Sequence, residues 1–277
     1  MKFEEISKEL TAAHEGKGGV QVADYEGYQD NIEKALLYFI DAMFPNYVKR
    51  PAALVEGQNP KTYYLQLAYT HLLAALKKRI IEKDARKAAD SLLEAIPSVY
   101  ELLKTDVQAG YEGDPAAKSV DEVILAYPAF IAISAHRIAH ELYMRDCTME
   151  ARMMSEYAHR KTGIDIHPGA TIGKRFFIDH GTGVVIGETC VIGENVKLYQ
   201  HVTLGAKSFP VNDDGTLVKG IKRHPNIGNN VVVYSGATIL GGDVFIGDGC
   251  VIGGNVWLTH SVEPGQMVKQ KSADCSK

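Results

Sequence analysis

Three places in the sequence set acid–base groups where chemistry could use them. Asp179-His180-Gly181-Thr182-Gly183 puts an imidazole beside a carboxylate among small residues. Arg223-His224-Pro225 joins a guanidinium to a second imidazole, and Asp165-Ile166-His167-Pro168 carries a further carboxylate. An imidazole has an unperturbed pKa of roughly 6.5, so it can take a proton from a hydroxyl near neutrality. It does so best when a carboxylate accepts the N–H of its other ring nitrogen, which fixes the tautomer and stabilises the imidazolium. On these grounds His180 is the candidate general base and Asp165 its candidate orienting partner.

A repeat must position these groups. Ile166, Ile172, Ile178, Ile186, Ile192, Leu198 and Leu204 recur every six residues, with one eight-residue step between 178 and 186. The pattern resumes at Ile227, Val233, Ile239, Ile246, Ile252 and Leu258, with one seven-residue step. Glycine follows most of these residues, as at Gly173, Gly187, Gly193, Gly228 and Gly247, and a second apolar residue, such as Ala170, Val184 or Cys190, often stands two places before. A period of six is neither the 3.6 of a helix nor the two of a half-buried strand. It fits a coil with three flat faces, each a short strand and a corner. The large aliphatic points into a narrow prism, and the glycine allows a tight corner with positive φ. A β-sandwich would need turn signals about every 8–12 residues, which this segment lacks.

Three hexads make a coil of about 18 residues, so residues that far apart stack. Asp165 is thus expected beneath Gly183, in the loop that carries His180. The repeat fails twice, in the insertion at 179–183 and in the excursion from Ala206 to about Pro225. Residues extruded from a coil are released from packing, so chemistry is expected at these two breaks.

Upstream, the period is helical. Asn31–Phe44 spaces Ile32, Leu36, Phe39, Ile40 and Met43 three and four apart, and Thr62–Ile81 does the same with Leu65, Leu72, Leu73 and Leu76. Asp84 is placed to cap a third helix through Leu92, Leu93 and Ile96, which Pro97 should kink or break. Ser119 and Glu122 form a capping box, and Pro128 suits the first turn of the next helix. A last helix opens at Thr148 and ends at Gly163. The expected fold class is α+β: an all-α domain over 1–163, then a left-handed parallel β-helix over 164–277 with an extruded loop at 206–225.

Composition removes other classes. Hydrophobic residues make up 45% and charged residues 23%, enough apolar content for a globular core. A net charge of -4 carries no basic footprint, so nucleic acid is not an expected partner. No apolar run reaches the roughly 20 residues of a bilayer span, and the N-terminus MKFEEISKEL has no apolar signal core. A cytoplasmic location, without a membrane partner, is expected. Cys147, Cys190, Cys250 and Cys275 form no CxxC pair, which argues against a disulfide framework or zinc ribbon. Cys190 and Cys250 are read as small buried hydrophobes.

Asp165-Ile-His-Pro168, Asp179-His-Gly-Thr-Gly183, Gly187-Glu-Thr189, Val202-Thr-Leu-Gly205 and Arg223-His-Pro225 succeed one another in this order. Together they resemble the serine acetyltransferases, the family that opens cysteine biosynthesis, over about 165–260. Asp114-Pro-Ala116 and the helix with His136-Arg137-Ile-Ala-His140 extend the likeness upstream. The resemblance implies a homo-oligomer, a trimer or a dimer of trimers, with active sites between neighbouring subunits. It implies acetyl transfer from acetyl-CoA to the hydroxyl of L-serine, with no metal. His180 is then the base on that hydroxyl, with Asp165 as its partner. Asp114 and Asp179 hold the substrate ammonium through charge-assisted hydrogen bonds. Arg223 pairs with the substrate carboxylate through its fork of donors, and His224 completes the pocket. Backbone groups at coil corners, Gly205, Ala206, Ser235, Gly236 and Gly254, are assigned to acetyl-CoA. Glycines there admit the pantetheine arm closely and leave amides free to hydrogen-bond. The oxyanion donor that a thioester needs is not identified.

Two segments depart from that family. Ala206–Lys222 is longer than its glycine-rich loop and is expected to close over the coenzyme as a flap. Family members end in an isoleucine that docks into cysteine synthase, whereas this sequence runs QMVKQKSADCSK to Lys277. A cationic, polar tail suits a hydrophobic docking pocket poorly, which counts against a cysteine synthase complex. Three other readings stay open on the residues alone. One is a hexapeptide acetyltransferase acting on homoserine or a sugar. Another is a γ-class carbonic anhydrase drawing three zinc ligands from His167, His180, His201, His224 and His260. The third is an inert scaffold.

Overall fold

The computed structural model describes residues 2–15, 25–47 and 57–270; Cys275 and the tail ending at Lys277 lie outside the described residues. Helices α1 (Lys2–Glu15), α2 (Tyr28–Met43), α3 (Pro60–Leu76), α4 (Glu82–Gly113), α5 (Val120–Ala126), α6 (Pro128–Tyr143) and α7 (Thr148–Thr162) come first. Several obey the expected signals. Ser119 caps α5 by accepting from the Glu122 amide, Pro128 opens α6, and Gly163 stops α7 at φ +71°. Two do not. The residue before α4 is Ile81, with no side-chain cap, and Asp84 sits inside the first turn. Pro97 does not end α4, which runs for 32 residues. A proline forfeits one helical bond, but Leu92, Ile96, Val99 and Leu103 are all buried on this helix, and each such burial is worth about 1.5–3 kcal/mol. Among the described residues no single helix is long and apolar enough to cross a membrane.

From residue 165 the chain is a left-handed parallel β-helix. Its first face stacks β1 (Asp165–Ile166), β4 (Val185–Ile186), β7 (Thr203–Gly205), β10 (Thr238–Leu240) and β13 (Trp257–Leu258). The second stacks β2 (Thr171–Ile172), β5 (Val191–Ile192), β8 (Asn226–Ile227) and β11 (Phe245–Ile246). The third stacks β3 (Phe177–Ile178), β6 (Lys197–Leu198), β9 (Val232–Val233), β12 (Val251–Ile252) and β14 (Met267–Val268). The repeat aliphatics and the smaller apolar residues before them fill the prism, and Cys190 and Cys250 are among these buried residues. Burial pushes the Cys190 thiol up to about 12, so it behaves as a small hydrophobe.

The coils are less uniform than a strict hexad predicts. The first step takes 20 residues, with Asp165 on Val185 and Thr171 on Val191. The next, Val185 to Thr203, takes 18; Val191 to Asn226 takes 35, and Asn226 to Phe245 takes 19. Asp165 therefore lies beneath Val185, and it is Gly163 whose carbonyl receives the Gly183 amide at 2.8 Å. The two residues inserted at 179–183 shift the register by their own number.

The repeat glycines also serve a different end from the one expected. Positive φ falls instead at Arg175, His180, Asn195, His201, Asn230 and Asn255, and at corner glycines such as Gly183 and Gly236. Gly187 is glycine because of what stacks above it: a Cβ there would stand 2.0 Å from the His224 ring.

The helices seat beneath the first coil. Arg137 on α6 pairs with Asp106 on α4 through two 3.0 Å bonds, both side chains buried, and donates to the carbonyls of Ile172 and Gly173 at 2.5 and 2.6 Å. Asp106 accepts the Phe176 amide, the Thr105 hydroxyl accepts the Arg175 amide, and His140 donates to the Pro168 carbonyl.

Candidate active site

The corner from third face to first carries one group of polar residues. The loop at 179–183 is pulled onto the coil, with Ile164 filling the space a Gly181 side chain would need. His180 is pushed outward at φ +60°, its side chain 69% exposed. A non-glycine residue in this region is strained by about 1 kcal/mol, and the loop tolerates it between flanking bonds from Asp179 to Leu198 and from Gly183 to Gly163. His180 Nε2 stands 3.8 Å from Asp179 Oδ1. The other oxygen of Asp179 is 3.0 Å from Lys197 Nζ, which also donates to the Gly113 carbonyl at 2.7 Å. Asp114 comes directly after, at the end of α4. It accepts the Tyr127 hydroxyl at 2.5 Å and the Ala116 amide at 2.8 Å. Those two bonds, helped by the positive charge of Lys197, hold its carboxyl below the usual range. His180, Asp179 and Asp114 are thus brought to one corner.

The corner from first face to second carries the other group. Arg223 pairs with Glu188 at 2.5 Å, and Glu188 also accepts the Tyr143 hydroxyl at 2.8 Å. Burial works against that carboxylate, but the two bonds keep its pKa below normal. Thr189 organises the Arg223-His224 pair. Its hydroxyl accepts the amides of both residues at 3.0 and 3.1 Å, and its own amide donates to His224 Nδ1 at 3.0 Å. A nitrogen that accepts an amide carries no proton, so the His224 proton sits on Nε2. Burial, and then the charge of Arg223, lower the His224 pKa to about 4 and keep the ring neutral.

Asp165 stands on the first face between the two corners, with its carboxylate within 4.8 Å of the ligand atoms of Glu156 and His159 on α7. The charges acting on His167 are those of Glu188, Arg152, Asp165 and Arg223, and Arg152 of α7 lies 4.0 Å from Asp165. Among the described residues His180 and Asp165 share no hydrogen bond or ion pair; Asp165 stacks on Val185, two residues beyond the loop, and its amide donates to the Val184 carbonyl. The five corner residues divide likewise. Gly205 and Ala206 lie where β7 leaves the first face, whereas Ser235, Gly236 and Gly254 stack on the corner of His180. The Gly236 amide is not free: it donates to the Gln200 carbonyl at 3.0 Å. No three of His167, His180, His201, His224 and His260 gather as metal ligands within the described chain.

Lys197, Glu188, Thr189, Tyr127 and Tyr143 are the residues that sequence reasoning missed. Glu188 and Thr189 lie in the Gly187-Glu-Thr189 motif, whose spacing alone assigns them no role. Lys197 could have been found from the register, since it sits directly over Phe177, two residues before Asp179.

No protein-family model matches the chain. Over 191 residues it is 53% identical to a plasmid serine acetyltransferase of Synechococcus elongatus, a match covering 69% of this chain and 60% of that relative's length. It is 46% identical over 179 residues to the serine acetyltransferase of Bacillus subtilis, covering 62% of this chain and 78% of the relative. Among solved structures, serine acetyltransferase 1 of Entamoeba histolytica with L-cysteine superimposes with a TM-score of 0.79 at 38% identity, over 86% of each chain. The Neisseria gonorrhoeae serine acetyltransferase with serine gives 0.59 at 27% identity, over 86% of this chain and 95% of that one.

Proposed function

The chain belongs to the serine acetyltransferase family, and from that membership we propose that it moves the acetyl group of acetyl-CoA to the hydroxyl of L-serine at sites shared between subunits of a homo-oligomer. The observation that carries this reading is the division of the polar residues between two corners of one coil. His180, Asp179 and Asp114 hold a base and two carboxylates for an α-ammonium; Arg223 and neutral His224 hold donors for a carboxylate, and Asp165, on the face between the corners, is a partner for the base. Neither set suffices alone. Three prisms side by side bring the first corner of one against the second corner of the next, as cyclic symmetry allows.

In such a site the serine ammonium lies between Asp114 and Asp179, and its carboxylate meets Arg223 and the His224 Nε2–H. His180 takes the hydroxyl proton as the oxygen attacks the thioester carbonyl, while Asp165 of the neighbouring subunit orients its ring. As the tetrahedral intermediate collapses, the C–S bond breaks and the imidazolium returns the proton to the departing thiolate. Gly205 and Ala206 of one subunit and Ser235, Gly236 and Gly254 of the next line the groove for acetyl-CoA, which this reading treats as co-substrate. Membership of a biosynthetic family accords with a cytoplasmic enzyme.

Release of thiol from acetyl-CoA tests the acceptor. L-Serine should exceed homoserine and sugars in kcat/KM, and a higher value for any of those would overturn it. Mixing inactive His180→Asn and Arg223→Ala chains tests the shared site. Random assembly should restore roughly a quarter of wild-type activity, since a site then draws each half from an intact subunit in about one case in four; no recovery refutes sharing.

A further inference from the structure

Lys197 is a charge that a solenoid does not need. It takes the outward position of β6, yet its side chain is only 17% exposed, and its contacts converge on the corner of His180. Besides Asp179 and the Gly113 carbonyl, the ammonium lies 4.4 Å from the Tyr199 ring and 5.1 Å from that of Phe177. Tyr199 in turn stacks on Tyr234 with centroids 5.1 Å apart. Withdrawing an ammonium from water is costly unless its donors are matched. Here burial lowers the Lys197 pKa, but the Tyr199 hydroxyl and Asp179 outweigh it and hold the group above its usual value. Lys197 stays charged.

The surroundings give that charge a purpose. Asp179 is gripped on the oxygen turned away from His180, so its other oxygen faces the base. Gly113 is the last residue of α4, and the bond to its carbonyl ties the end of that helix to the coil, directly before Asp114. Lys197 thus lies between the Asp179 carboxylate and the helix end that carries Asp114.

We propose that Lys197 is the positioning residue of the acceptor subsite: it sets Asp114 opposite Asp179 and reduces their joint charge to one negative, matching a single α-ammonium. This rests on the assignment of both aspartates to the acceptor ammonium. Lys197 does not touch the reacting atoms, so its loss acts on acceptor binding and spares the chemical step.

Steady-state kinetics of the full-length enzyme test this with Lys197→Met, Lys197→Gln and Lys197→Arg. In the Met and Gln variants KM for L-serine should rise about tenfold, the equivalent of roughly 1.4 kcal/mol. Turnover should stay within threefold, and KM for acetyl-CoA should not move. Arg keeps the charge and can reach both partners, so it should bring KM for L-serine back to within threefold of wild type. An unchanged KM for L-serine in the Met and Gln variants overturns the proposal. So does an equal rise in both Michaelis constants, which is what a purely structural role predicts, or an Arg variant no better than Met. Should the wild-type enzyme release no thiol with L-serine, the acceptor assignment itself falls, an outcome separable from every variant comparison.

Discussion

Replacing Thr189 by valine should disable the enzyme while leaving its fold intact. Valine has nearly the same shape, so the coil packs as before, but the hydroxyl is gone. That oxygen is the acceptor for the Arg223 and His224 amides, and it stands 2.9 Å from His224 Nδ1. Two partly buried donors would lose their partner, at about 1–3 kcal/mol each. The loop can recover much of this by turning the amides toward water, but only by moving Arg223 and His224 off target. If 2–3 kcal/mol of that is expressed as lost transition-state binding, kcat/KM for L-serine falls about 30- to 150-fold. Thr189→Ser keeps the hydroxyl and should remain within threefold of wild type. Thiol release at varied L-serine, with acetyl-CoA saturating, measures both. A valine variant within threefold of wild type, or a serine variant as poor as valine, would show that the hydroxyl does not hold the Arg223-His224 pair.

His180→Asn should lower turnover by roughly 10²–10⁴, the usual worth of a positioned general base, with melting unchanged; a loss under tenfold removes His180 from that role. Deleting residues 209–219, the hairpin bridged between Val211 and Leu217, should raise KM for acetyl-CoA, and an unaltered value means it is no coenzyme flap. His224 makes stability depend on pH. Its folded pKa of about 4 lies below the unfolded value of roughly 6.5. The unfolded chain therefore binds the extra proton in this window, so the stabilisation is complete above it and disappears as pH falls through it. The difference is at most about 3 kcal/mol. Denaturant titrations at pH 4.5 and 7.5 should show it in wild type and not in His224→Gln; an equal loss of unfolding free energy between the two pH values in both proteins would rule it out.

The β-helix could be read from spacing because its core repeats: each inward aliphatic is a vote for the same phase, and Ile166 through Leu258 outvote the interruptions. The two breaks were just as readable, since a loop that serves no packing stands out against a period. What spacing could not supply was the consequence of a break for everything above it. Counting by eighteen set Asp165 under Gly183, when the insertion at 179–183 had lengthened that coil by two. Pairings between remote segments were hidden for a different reason. Glu188 with Arg223, or Lys197 with Gly113, depend on how a 35-residue coil and a long helix return, and no local pattern encodes that. Pro97 leaves α4 unbroken because the local rule yields to the burial around it.

The seat that the helices make for the first coil bears on how the protein avoids stacking end to end on its own copies. Every coil of a parallel solenoid offers a ladder of backbone groups to the next, and the lowest one, β1 to β3, is a ladder with nothing below. Left open, it would be a template for another chain's uppermost coil. Arg137, Asp106, Thr105 and His140 occupy that ladder with side-chain partners at Ile172, Gly173, Phe176, Arg175 and Pro168. The helical half thus acts as an end-stop against filament growth. A fragment beginning at residue 164 should sediment as ever longer species with rising concentration, where the full chain reaches a fixed size.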